Sequence, residues 1–290
     1  MSIQILIFQL LNGLVWGLIL ALITIGLTLI FGILSVINIA HAALYMLGAV
    51  LAWVVIQYTG NFWIALVVAP LLVGVVSVAI ERVVLRTIVG NFVLSILATL
   101  GMLFIIQDVV LATFGGGLQR IATPIRGAMP VFGLQYPYYR LFVAGVSIAT
   151  MLAVWLFLNR TKYGLWIRAV KQDPQIATAM GIPVSFVYMS TVALGGILAG
   201  LSGVLAGPIV AIEYQMGLKI LAYAFIIVVV GGFGSIMGSI VVAILIGCLD
   251  GVFSVFFSAS EARVVTLVLV SLILLIRPEG IFRPRQEAVV

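Results

Sequence analysis

Residues 159–187, NRTKYGLWIRAVKQDPQIATAMGIPVSFV, form a polar island between two apolar runs, 141–158 and 187–207. Runs of that length and composition suit a bilayer, not a soluble core. The island carries four of the chain's fourteen basic residues. Asp173 can cap a helix N-terminus, and Pro174 suits the first helical position. Gly181 suits the left-handed residue just past a helix end, and Pro183 blocks continuation. Ile176, Ala177 and Met180 give this short element an apolar stripe. The spacing predicts a compact helix over 173–181, held at a membrane surface as a docking element for a soluble partner.

The whole chain agrees with that frame. Its 290 residues are 64% hydrophobic and 8% charged, with a mean hydropathy of +1.38. A span takes roughly 20 apolar residues, so the length allows about eight to ten of them. Weak alternation within the runs argues against a β-barrel. The expected class is an all-α polytopic membrane protein, a bundle with one or two broken or re-entrant segments. The net charge of +6 is too thinly spread for nucleic-acid binding and fits basic cytoplasmic loops. Cys248 and His41 are the single cysteine and histidine, which excludes a disulfide framework and a zinc site of the usual spacing. No catalytic residue, metal or cofactor is expected. The N-terminus lacks a basic leader region and reads as a retained first span.

Spans are expected at 8–31, 42–57, 62–80, 91–113, 141–158, 187–207, 236–257 and 264–276, with 220–230 too short to cross alone. Asn38 and His41, three apart, interrupt apolar sequence after the first span. On one helical face they would line a polar pathway, hold a helix break, or satisfy each other within the bundle. The run Gly231-Gly232-Phe233-Gly234-Ser235 lacks the Gly-Lys-Ser/Thr ending of a phosphate loop and reads as a helix break. Asp250 lies deep in its segment and needs a partner or an aqueous face. Asp108 is near a span end, Glu213 belongs to a short solvated loop, 81–86 reads as a charged loop, and 115–137 as a polar one. Small residues at four-residue spacing across 187–207 (Gly196, Ala199, Gly200, Gly203, Gly207) predict close helix packing. With nine spans and the N-terminus outside, nine basic residues fall in inner loops and five in outer ones. That orientation places 159–187 and the C-terminus in the cytoplasm.

Several stretches together resemble one family, the membrane-spanning permease of branched-chain amino acid ABC importers. They are GLTLIFG (26–32), Asn38 to His41, YMLG (45–48), Thr161 to Gly164, Arg168-Ala169, Asp173, Ala177, Gly181-Ile182, Gly231 to Gly238 and RPEGIF (277–282). Ala42 and Arg283 stand where the family usually has glycine. The resemblance implies a single permease domain over 1–290 in a bacterial inner membrane, moving hydrophobic amino acids. It implies two ATP-binding partner subunits, a second permease subunit (related or a copy), an extracytoplasmic solute-binding protein, and contact with membrane lipid. It also implies that Arg168, Ala169, Asp173, Ala177, Gly181 and Ile182 belong to a helix coupling the permease to its ATPase. Urea or a short amide as solute, an independent ion-coupled transporter relying on Asp250, and a non-transporting scaffold are the rival readings.

Overall fold

The computed structural model describes residues 3–88, 90–131 and 133–276, so the block at 277–282 lies outside the described residues. In chain order the elements are α1 (Ile3–Leu34), α2 (His41–Thr59), α3 (Phe62–Ile80), a π-helical turn (Glu81–Leu85), α4 (Arg86–Ile88) and α5 (Phe92–Phe114). A hairpin, β1 (Ala128–Val131) and β2 (Leu134–Pro137), leads to α6 (Tyr138–Arg160), α7 (Lys162–Gln172) and α8 (Pro174–Ala179). The rest is α9 (Val184–Ala206), α10 (Met216–Gly231), α11 (Ile236–Phe253) and α12 (Ala259–Ile276). Among the described residues seven helices are long and apolar enough to cross a bilayer, and the sixteen-residue α10 is apolar but shorter. Counting α10 and α12 gives nine hydrophobic helices, within the expected range. The chain is an all-α polytopic membrane protein.

Three expectations about the connections need correcting. The segment 81–86 is not a loop: ERVVL contains no helix breaker, so α3 runs on through the π-helical turn and buries Glu81. The polar stretch 115–137 contains the hairpin, with Met129 opposite Tyr136 in register. The island at 159–187 holds two helices, not one, because KYGLWIRAVKQ has an amphipathic period that the polar composition masks.

α1 is the central post, buried almost without interruption from Val15 to Ile30. In lipid, helices associate by close packing and hydrogen bonding, and glycines set the seams here. A methyl on Gly17 would lie 2.9 Å from the Ile244 backbone, and one on Gly26 would lie 2.7 Å from the Gly195 carbonyl. Gly13 of α1 likewise meets Gly247 and Gly251 of α11. α9 uses the predicted small-residue face: Gly196 sits against Ser77, Gly200 against Val73 and Gly48, and Gly203 against Tyr45. Buried polar bonds tie the same seams, with the Thr28 and Ser239 hydroxyls 2.7 Å apart and Ser77 donating to the Val192 carbonyl at 2.9 Å.

Candidate functional site

The island forms a helical hairpin at one end of the bundle. The Asp173 carboxylate accepts from the N–H groups of Gln175 and Ile176 at 2.7 and 2.9 Å, capping α8, and Pro174 opens the helix. At the other end Gly181 has φ 80°, with its N–H on the Thr178 carbonyl and the Ile182 N–H on that of Ala177. These two bonds make a left-handed glycine stop. Ala177 is buried, and Ala169 and Ile182 pack partly buried against the core. The Arg168 guanidinium donates to the Leu158 carbonyl, fastening α7 to the end of α6. The six residues expected to couple therefore build the hairpin's frame. Ile176 and Met180, 60% and 75% exposed, are apolar side chains presented outward at α8, as is Leu165, 59% exposed, on α7.

Asn38 and His41 do not share a helical face. Ser35, at φ 53°, ends α1, and the chain then runs non-helically to His41, where α2 begins. The His41 Nε2 stands 3.0 Å from the Ile23 carbonyl, so α2 starts beside the middle of α1, eleven residues from its end. The re-entering backbone needs partners. Thr99 supplies one, its hydroxyl accepting from the Ile39 N–H at 3.1 Å and lying 3.1 Å from the Ile37 carbonyl. Asn38 and His41 are buried, and among the described residues Asn38 Oδ1 and His41 Nδ1 have no hydrogen-bond partner. Both lie at the break, where the His41 backbone N–H donates to the Asn38 backbone carbonyl at 3.2 Å while their side chains do not bond each other.

The second break is where the glycine run placed it. Gly232 and Gly234 take φ of 90° and 78° between α10 and α11, and a methyl on Gly231 would lie 2.7 Å from Gly238. Phe233 packs on Phe31 with ring centroids 4.5 Å apart, and Lys171 Nζ reaches the Gly234 carbonyl at 3.5 Å. The hairpin thus touches the break directly.

Two regions of free space lie at opposite ends of α1 and α11. One, about 300 Å³, is lined by Thr28, Gly32, Trp155, Arg168, Lys171 and Met237. The other lies beyond the far end of α11, as two adjoining cavities of about 250 and 160 Å³ sharing Trp16, Val210 and Arg263. Asp250 lines the larger of these, and its Oδ2 accepts from Tyr223 at 2.7 Å. Between the two regions α1 is buried from Leu18 to Thr24. Asp108 is exposed on α5, and Glu213 pairs with Lys219.

A family profile described as "Branched-chain amino acid transport system / permease component" matches residues 9–277. The chain belongs to this permease family. It is 30% identical to the high-affinity branched-chain amino acid transport system permease protein LivH of Salmonella typhimurium, with all of both chains covered. It is also 30% identical to the permease protein BraD of Pseudomonas aeruginosa, over 97% of each. A probable LivH of Methanocaldococcus jannaschii matches at 24% over 93% of this chain and 90% of its own. In this permease the sequence reading missed Lys171, Thr99 and Tyr223. Lys171 lies two residues before the predicted cap, which was a signal in reach. Thr99 and Tyr223 have no such signal, since each is defined by a partner 60 or 27 residues away.

Proposed function

We propose that this permease is the membrane-spanning subunit of an ABC importer for branched-chain and other hydrophobic amino acids. The end-to-end likeness to LivH and BraD carries the reading. The whole chain acts as one permease domain in a bacterial cytoplasmic membrane, N-terminus outside and C-terminus inside. Two ATPase subunits drive it, a second permease chain completes the pore, and a binding protein delivers solute. The 159–187 hairpin is the ATPase contact: α8 offers Ile176 and Met180 to a groove, while Asp173, Ala177, Gly181 and Ile182 hold its shape and Arg168 with Ala169 anchors it. Gly231 and Gly232 act as a hinge, and Asn38 and His41 support the first break.

Reconstitution with the partner subunits tests this. ATP-dependent leucine uptake that needs the binding protein is the expected outcome. Uptake by this chain alone, driven by a proton or sodium gradient and indifferent to ATP, would replace the reading with a secondary transporter.

A further inference from the structure

The larger cavity at the far end of α11 combines features that the transport reading alone leaves unused. Its wall holds one carboxylate, Asp250, and two guanidiniums, Arg140 and Arg263. Among the described residues no ion pair closes between Asp250 and either arginine. Opposite charges that line one cavity without meeting leave room for a ligand carrying both signs. Asp250, on this wall, is held by the Tyr223 hydroxyl on its Oδ2. Asp250 is the wall's one carboxylate, and an ammonium with three donors complements it in charge. Beside these charges Trp16, Ile209 and Val210 give an apolar wall. The adjoining cavities, about 250 and 160 Å³, suit one small molecule and no macromolecule.

We propose that this cavity is a transient site for a zwitterionic aliphatic α-amino acid within the permease itself. Asp250 takes the ammonium, Arg263 and Arg140 take the carboxylate, and Trp16, Ile209 and Val210 cover the side chain. Selection is then made twice, once by the binding protein and again here. The inference rests on the amino-acid importer reading and gives it a site.

Ser254, on the cavity wall, serves as a reporter. The complex is assembled with the Cys248→Ala, Ser254→Cys permease and labelled with a maleimide. Leucine should slow labelling severalfold, whereas 4-methylpentanoate, lacking the amine, and 3-methylbutylamine, lacking the carboxylate, should not. Adding Asp250→Asn should abolish leucine protection, read as the ratio of labelling rates with and without leucine in each variant, while leaving complex assembly unchanged, and Asp250→Glu should restore it in part. No protection by leucine, equal protection by either half-molecule, or protection that survives both Asp250→Asn and Arg263→Gln would each overturn the site. ATP-driven uptake by the unsubstituted complex is measured in parallel, so failure of the importer reading is seen separately.

Discussion

At the scale of single residues, the bundle tolerates little where backbones touch. Gly48 of α2 faces Gly200, whose Cα would be 2.6 Å from an added methyl. Gly48→Val should therefore prevent a stable fold, seen as loss of a monodisperse permease peak in detergent. His41 is a gentler case. His41→Leu removes the contact with the Ile23 carbonyl, and such bonds within membrane bundles average about 0.6 kcal/mol, with a maximum near 1.7. The expected result is a small drop in thermal stability, intact assembly and slower uptake. Loss of assembly would make the break purely structural.

At the scale of elements, the hairpin of α7 and α8 separates shape from contact. Ile176→Asp with Met180→Asp alters exposed side chains, so the permease should keep its thermal stability yet lose ATPase co-purification. Lys171→Met should leave ATPase binding and hydrolysis in place but lower leucine uptake per ATP, because the tie from α7 to the Gly234 carbonyl is gone; Lys171→Arg should retain it. A normal uptake-to-hydrolysis ratio in Lys171→Met would show that the tie transmits nothing. How much of this was legible in sequence follows from how local each cause is. Asp173, Pro174 and Gly181 define α8 through bonds no more than five residues apart, so the helix and its stop were readable. The apolar runs gave the spans for the same reason. The re-entry at 35–40 was visible as an interruption but not as a reversal, because Ser35 is not a residue that announces a left-handed turn. Glu81 looked like loop because charge usually marks a surface, and only the packing around it shows that α3 continues. The cavity at the far end of α11 depends on α1, α6, α11 and α12 converging, which no local pattern encodes.

At the scale of the molecule, the proposed topology assigns each cavity to a side of the membrane. In a Cys248→Ala background, Tyr58→Cys, at a position 87% exposed, should react with an impermeant maleimide added outside. Met180→Cys should react only when the reagent reaches the cytoplasmic face. The reverse pattern would invert the orientation and move Asp250 to the inner side.

The seam between α1 and α11 has a mechanical consequence. It is pinned near one end by Thr28 and Ser239 and near the other by Gly13 against Gly247 and Gly251. α11 is eighteen residues long, about 27 Å of helix at 1.5 Å per residue. The pair spans from the Lys171–Gly234 contact at one tip to Asp250 at the other. If a stroke at the hairpin tip loosens the grip on an amino acid, then by linkage an amino acid seated at the far tip opposes that stroke by the same coupling free energy. Cargo would thus report its own arrival to the motor.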